Sequence, residues 1–338
     1  MVETPRESPS TPLFQRGERG VAVLMALFVA ALATLIVTGL FWSQFVLLRT
    51  IENQQLVSQS RLLLRGALDW ARAILREDAR TTAFDSCDEP WAQRLQETRL
   101  DQLGETSALA SQASMSGDIE DAQSRFNLRT LVNDGKAFEP EVEALKRLVQ
   151  ALELPSQTAD LIAARVVQSL APSEESGNPT GVASVKPIPL VLPQDIVGIA
   201  GIQVDAAKRL ADYIVIFDEQ RVPINVNTAA AEVLYARVPD LSISEAKRVV
   251  GERKRIGRFR DTADFRNRIG GKGVGVTDDQ ISISSRYFFV RGRVRLDRAD
   301  TSMEALVKRG PASTAAPIVV LWQRECDTCT NPSQCNIT

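Results

Sequence analysis

Between Arg19 and Arg49 the chain carries no charged residue, and the stretch from Gly20 to Leu48 reads GVAVLMALFVAALATLIVTGLFWSQFVLL. At about 1.5 Å of rise per residue, the apolar run Val21–Phe41 predicts a helix spanning roughly the 30 Å hydrocarbon core of a bilayer. Thr34 and Thr38 interrupt it, but a hydroxyl in a helix can bond back to its own backbone at little cost. Trp42 and Phe45 follow at the level of an aromatic belt, and Arg19 and Arg49 close the two ends. A cleaved signal peptide has an apolar region of about 7–15 residues followed by a small-residue cleavage site. This run is longer, and past Thr50 a helical pattern continues to about Glu77 with no such site. Ile51, Leu56, Leu62, Leu63, Ala67, Trp70, Ala71, Ile74 and Leu75 fall loosely on one face of that continuation. The expectation is a retained anchor whose helix runs on into water.

Ahead of the anchor, Arg6, Arg16 and Arg19 stand against Glu3, Glu7 and Glu18. Arginines close to the membrane favour a cytoplasmic N-terminus, which sends the C-terminal bulk outward. The junction Arg16-Gly17-Glu18-Arg19-Gly20, followed by Val21, resembles the site cut by prepilin peptidases. That resemblance implies cleavage after Gly20, with Val21 as the mature N-terminus. Most pilins and pseudopilins carry a Glu five residues into the mature chain, and here that position is Met25.

Residues 49–338 are enough for one large or two modest domains with real cores. The formal net charge of −2 argues against a strongly basic nucleic-acid surface taken over the whole chain. The chain has no His, which removes the commonest general base and the commonest metal ligand, and with them most Ser/His and Cys/His nucleophile schemes. A non-enzymatic role is therefore expected. Cys87 stands apart, while Cys326, Cys329 and Cys335 crowd the C-terminus in CDTCTNPSQC. The C-x2-C spacing suits a zinc knuckle, but an exported chain favours disulfides, with three connectivities open to four cysteines.

Beyond the anchor helix, residues 79–118 are polar and weakly periodic, and Asp85–Pro90 breaks any helix. Ile119–Leu128 reads as a strand or two around a turn, with Asn127 as a capping or turn residue. Glu139-Pro140 opens a helix with the apolar stripe Val142, Leu145, Leu148, Val149 and Leu152, and a second helix follows from about Gln157 to Leu170. Residues 172–193 are rich in proline and serine and read as a long exposed loop. After Pro223, Ile224-Asn225-Val226-Asn227-Thr228-Ala229 leads into a helix Ala230–Ala236, with Thr228 suited to its N-cap. A turn at Val238–Leu241, a helix Ser244–Arg255 and a short helix Thr262–Arg268 complete a helix-hairpin-helix layout. The stretch Val197–Leu210 suggests a second such unit beside it.

Hairpin units of this kind commonly bind DNA through a glycine-rich turn whose amides approach a phosphate. Here the turn is Pro239-Asp240-Leu241-Ser242, where Pro lacks the donor and Asp240 repels phosphate. Against that stands a basic cluster, Lys247, Arg248, Arg253, Lys254, Arg255, Arg258 and Arg260, which reads first as a solvated helix face. Nucleic acid is accordingly disfavoured as a partner.

The Arg-Gly leader and anchor, the segment Ser124-Arg125-Phe126-Asn127-Leu128, and Ile224–Ala229 with its following helix together resemble the minor pseudopilin K family of bacterial type II secretion systems. The resemblance runs through nearly the whole chain, and that family also lacks the Glu at the fifth mature position. It implies an α+β pseudopilin fold, a long N-terminal transmembrane helix packed on an antiparallel sheet, with a large all-α insert holding helix-hairpin-helix (SAM-like) units. The organisation expected is a cytoplasmic leader (1–20), a transmembrane helix (21–48), a periplasmic helix with the first part of the sheet (49–136), the insert (137–280), and the remaining strands with a Cys-rich tail (281–338). The sheet would begin near Ser116–Thr130 and resume with Ser284–Leu296, whose alternation reads as a half-buried strand, followed by short strands at Ser302–Arg309 and Ile318–Gln323. The role implied is that of a subunit at the tip of the secretion pseudopilus, helping to initiate and cap the fibre for protein export. The partners implied are other minor pseudopilins, the prepilin peptidase and inner-membrane lipid. The alternative is a membrane-tethered DNA-binding protein for DNA uptake. Relatives carry an acidic loop after the second insert helix that suits Ca²⁺, but here the run is Ser169–Gly177, with only Glu174 and Glu175 as weak candidates.

Overall fold

A computed structural model describes residues 15–104, 110–170, 186–273, 275–310 and 317–326. The chain divides into two compact units, Met1–Gln59 and Ser60–Thr338. One helix, α1 (Gln15–Thr81), crosses the division and runs four residues beyond the Glu77 expected from sequence. It is the one described helix long and apolar enough to cross a membrane. In the first unit its apolar side chains, Val21 through Leu48, are exposed. The hydroxyls of Thr34 and Thr38 donate to the carbonyls of Ala30 and Thr34, both at 2.8 Å, so the helix itself satisfies them.

The elements that follow, in chain order, are β1 (Leu95–Arg99), β2 (Ala113–Asp121), β3 (Phe126–Asn127), β4 (Val132–Asn133), β5 (Lys136–Ala137), α2 (Glu139–Ala151), α3 (Gln157–Leu170), α4 (Val204–Ala211), β6 (Ile214–Val215), β7 (Ile224–Asn225), α5 (Ala231–Arg237), α6 (Ile243–Ile256), α7 (Thr262–Arg268), β8 (Ile281–Ser282), β9 (Tyr287–Leu296), β10 (Ala299–Lys308) and β11 (Val319–Cys326). Five of the strands form one antiparallel sheet in the order β1-β2-β9-β10-β11.

Within the second unit, the last turns of α1 bury Leu64, Leu68, Ala71 and Leu75, a spacing that keeps them on one side of a 3.6-residue helix. Full burial of each leucine contributes about 1.5–3 kcal/mol. Leu62 and Trp70, expected on that face, are instead 67% and 47% exposed. Beneath the helix, Gly117 pairs with Gly292 across β2 and β9. A Cβ on Gly292 would lie 3.2 Å from the Leu64 side chain, and one on Gly117 would lie 2.5 Å from the Arg291 carbonyl oxygen. The missing side chain at Gly292 lets the helix lie close to the sheet, and the one at Gly117 lets β2 lie close to β9. The β9 strand is more deeply buried than a half-buried reading allows, because its first six residues are covered on both faces. Phe288, Val290 and Val294 share the side of Gly292, facing α1, while Tyr287 and Phe289 pack on the other side with Phe217, Val215, Val222 and Leu306.

Although β2 and β9 are neighbours, the whole helical insert lies between them in sequence. The chain leaves the sheet after Asp121, so residues 124–136, read from sequence as part of the sheet half, belong to the insert. The reason is local pairing and packing. Phe126 and Asn127 pair in parallel with Ile214 and Val215, and Phe126, Leu128 and Leu131 enter the insert core. The pairing of β4 with β5 turns at Asp134-Gly135, both with positive φ (50° and 74°), as a two-residue hairpin requires. The helices α2 and α3 start at Glu139 and Gln157 as the sequence predicts, with Pro140 in the first turn of α2. The helix α6 opens with Ser242 as N-cap and Glu245 closing a capping box. The cap of α5 is Ala230, however, and not Thr228. The Thr228 hydroxyl points elsewhere, into the junction of insert and sheet.

Candidate functional site

That junction is built from the Asn-x-Asn-Thr motif. Parallel pairing of β7 with β8 fixes Asn225, Ile224 facing Ile281. The Asn225 Oδ1 accepts from the Asn227 amide at 2.9 Å, which folds the motif back on itself. Its Nδ2 lies 2.8 Å from Asp121 Oδ2, 2.9 Å from Ser285 Oγ and 3.0 Å from the Asp85 carbonyl oxygen. The Thr228 and Ser285 hydroxyls both donate to Asp121 Oδ2, each at 2.6 Å, and the Gln123 amide donates to Oδ1 at 2.8 Å. Asn227 takes hold of the other end of the hairpin unit: its Oδ1 accepts from the Phe259 amide at 2.8 Å and its Nδ2 donates to the Phe259 carbonyl at 3.2 Å. Arg253, on α6, donates to the carbonyls of Val226 and Ala229 at 2.7 and 2.8 Å. Burial brings its pKa down to about 10, so it remains charged at neutral pH.

Arg309, after β10, completes the neck of the insert. Its Nη2 donates to both carboxylate oxygens of Asp85 at 2.6 and 2.8 Å and to the Ser285 carbonyl at 2.8 Å, while Nη1 donates to Asp78 Oδ2 at 2.8 Å. Burial raises the carboxyls of Asp78, Asp85 and Asp121, that of Asp85 to about 6.

A second buried network lies on the sheet face turned away from α1. Arg291 bridges Glu120 Oε2 at 2.6 Å, Asp118 Oδ2 at 3.0 Å and Glu304 Oε1 at 3.1 Å. Arg125 holds Glu120 at 2.8 Å, and Arg324 holds Glu304 at 2.6 Å. Burial works against the charge on Arg291, but the carboxylates of Glu120, Asp118 and Glu304 outweigh it and raise its pKa. Burial likewise opposes the charge on Glu120, and Arg125 and Arg291 together still lower its pKa.

The residues singled out in the sequence fall in separate places. Gly20 and Val21 lie within α1, in the first unit, where a side chain at Gly20 would meet nothing within 4 Å. Cys87 and Cys326 are both disulfide-bonded, which decides for them between a bridge and a zinc knuckle. Cys329 and Cys335 lie outside the described residues, as do Glu174 and Glu175. Among the described residues no group of three Cys, Asp or Glu side chains stands together as a metal-ligand set. The basic cluster of the hairpin unit is not a uniform solvated face. Arg253 is buried in the brace, Arg258 lies 3.7 Å from the centre of the Phe84 ring, and Arg248 pairs with Glu252 at 3.5 Å. Lys247, Lys254, Arg255 and Arg260 stay exposed. Sequence reasoning missed Asp85, Asp121, Ser285, Arg291 and Arg309. The polarity of Asp121 in a stretch read as strand, and of Arg291 in an apolar strand, were the signals available.

Every carboxylate of these two networks accepts from donors belonging to the fold, so the arrangement joins elements together. The family description "Type II secretion system (T2SS), protein K" matches residues 124–219 and again residues 224–284, which is the insert and its neck. The type II secretion system protein K of Pseudomonas aeruginosa is 26% identical over 315 residues, covering 88% of this chain and 90% of that one. A chain of the crystal structure of the GspK-GspI-GspJ complex from the enterotoxigenic Escherichia coli type 2 secretion system has the same fold. It aligns with a TM-score of 0.59 at 18% identity, over 82% of this chain and 99% of that chain. With family matches to protein K over residues 124–219 and 224–284 and a protein K relative that aligns over 88% of this chain, the chain belongs to the protein K family of type II secretion systems, the minor pseudopilins.

Proposed function

We propose that this pseudopilin is a single-pass inner-membrane subunit at the tip of the secretion pseudopilus, where it helps initiate and cap the fibre with other minor pseudopilins. Residues 1–20 are a cytoplasmic leader removed by the prepilin peptidase between Gly20 and Val21, residues 21–48 span the bilayer, and the bulk from residue 49 is periplasmic. The observation that carries this reading is the insertion of a whole helical body between β2 and β9, bulk that blocks the stacking of a further subunit. Met25 supports it. A carboxylate in lipid is costly unless paired, and a subunit with no neighbour above it has no amine to pair with. The structural relative was solved with GspI and GspJ, which supports I-type and J-type pseudopilins as the partners here. The role is structural and not catalytic, in keeping with a chain that has no His and whose buried acids are engaged in the fold.

The DNA-binding alternative is weakened by the hairpin turn itself. Glu245 Oε2 accepts from the Ser242 amide at 3.0 Å, and Lys272 Nζ donates to Glu245 at 2.7 Å. The chain's own carboxylate therefore occupies the anion position at the start of α6. Calcium, which the resemblance implies, is left with Glu174 and Glu175 as its weak candidates. Co-expression of the full chain with I-type and J-type pseudopilins, followed by detergent extraction, tests the proposal. A stoichiometric complex is expected. Recovery of the chain alone, with fibres of unchanged length in its absence, refutes the tip role.

A further inference from the structure

Five stretches of chain converge where the insert joins the sheet. The last turns of α1 supply Asp78, the loop behind it Asp85, β2 Asp121, the insert Asn225 and Thr228, and the segment after β10 Arg309. Asp78, Asp85 and Asp121 are 9%, 0% and 0% exposed. Among the described residues the cation in contact with this group is Arg309, which reaches Asp78 and Asp85 but not Asp121. Glu89, with its Oε2 taken by the Ser86 amide and the Trp91 indole, adds a further buried negative charge beside Asp78. On the insert side Arg258 lies over Phe84, one residue from Asp85; the uncharged Ser285 amide donates to the Asp85 carboxylate and the uncharged Asn225 side chain to the Asp85 backbone carbonyl. One guanidinium thus stands against three or four carboxylates in a site closed to water. A low-dielectric site relieves such an imbalance by taking up a proton.

We propose that the neck of the insert is a proton-sensitive joint, tight while Asp85 shares a proton with the neighbouring carboxyls and loosened from the sheet when that proton is lost. The inference concerns this cluster alone and stands whether or not the subunit occupies the fibre tip. Burial is the main cause that moves Asp85 up to about 6, with the nearby charge of Asp121 adding to it and Arg309 and the Ser285 amide opposing. A carboxyl raised on closure above the ordinary value of about 3.9 stabilises the closed state fully below that value. The contribution is lost as pH rises through about 6. For an opening that exposes Asp85, this linkage makes the closed neck about tenfold more favoured at about pH 5 than at about pH 7.5.

Hydrogen–deuterium exchange of the full chain in detergent micelles, corrected for intrinsic amide rates, reads this directly. Peptides covering residues 84–92, 222–230 and 283–288 should exchange about tenfold more slowly at about pH 5 than at about pH 7.5. A peptide from α3, inside the insert core, should show no such difference. Asp85→Asn, neutral at both pH values, should abolish the pH dependence of the neck peptides. Equal protection of the wild-type neck at both pH values overturns the proposal, and so does an Asp85→Asn variant that keeps the full dependence. If that variant does not fold, the wild-type series decides alone.

Discussion

Replacing Arg291 with Met removes the central cation of the network on the far side of the sheet while keeping most of its volume. The structure says what is left behind. Glu120 retains Arg125 at 2.8 Å and Glu304 retains Arg324 at 2.6 Å, whereas Asp118 loses its ion pair at 3.0 Å and is left with the more distant charge of Arg94. Breaking a buried ion pair from one side typically costs about 3–5 kcal/mol, because a charge stays behind without compensation. Two of the three acceptors keep partners, so the expected loss is at the low end, about 3 kcal/mol. For a folded unit of this size that corresponds to roughly 6–12 °C in thermal midpoint. Protonating the stranded carboxyls restores part of the loss, so the deficit should be largest near neutral pH and shrink on acidification. Trp91 stacks edge-on to Phe288 at 5.3 Å and Trp322 lies 6.1 Å from Phe289, so tryptophan fluorescence reports on the sheet directly. Urea titrations of the full chain in detergent at about pH 7.5 and about pH 4.5 measure both quantities. A loss below about 1 kcal/mol, or an equal loss at the two pH values, would refute the view that Arg291 compensates buried negative charge at this site.

Four further outcomes are expected. Mass spectrometry of the protein from cells that contain the prepilin peptidase should give Val21 as the first residue, and Gly20→Phe should retain the leader. A native terminus at Met1 or beyond Leu48 contradicts the processing. Met25→Glu should reduce secretion only mildly. An unpaired acid costs about 2.5–3.5 kcal/mol at the bilayer centre and less near the interface, and the mature amine offsets part of it. Replacing residues 124–284 with a short linker should by contrast lengthen fibres or abolish tip assembly in a secretion assay. Adding Ca²⁺ after chelation should leave the thermal midpoint unchanged to within about 1 °C, since a bound ion in excess would raise it by several degrees.

The anchor and the helices of the insert were legible because each announces itself over many residues through hydropathy or a 3.6-residue period. Leu145, Leu148 and Val149 on α2 needed no tertiary knowledge to be placed in a core. The five-stranded sheet was harder to read. The short edge strand β1 is polar on most positions and has no period to detect. Arg291 sits where alternation predicts solvent, and only the arrival of Asp118, Glu120 and Glu304 from two other strands makes its burial tolerable. Thr228 shows the same limit at the candidate site. Its place before a helix fits a cap, yet its hydroxyl bonds to Asp121, 107 residues earlier in the chain. Arg253 reads as one more cation on a basic helix until the Val226 and Ala229 carbonyls are brought to it. Local chemistry fixes elements, and long-range partners decide what a polar side chain does.

The adjacency of β2 and β9 has a kinetic consequence. Their hydrogen bonds join Asp121 to Phe288 across the full length of the insert, so the sheet cannot close until that long loop has been brought end to end. An insert that folds first, with its two ends already clasped by Asp121, Ser285 and Gln123, turns this search into the meeting of two strands held side by side. A chain whose segments fold in sequence order would then hold β1 and β2 against α1 as an unfinished sheet edge until the insert has formed. Variants that slow folding of the insert should therefore be recovered as misassembled or aggregated anchors and not as well-folded sheets with a loose appendage.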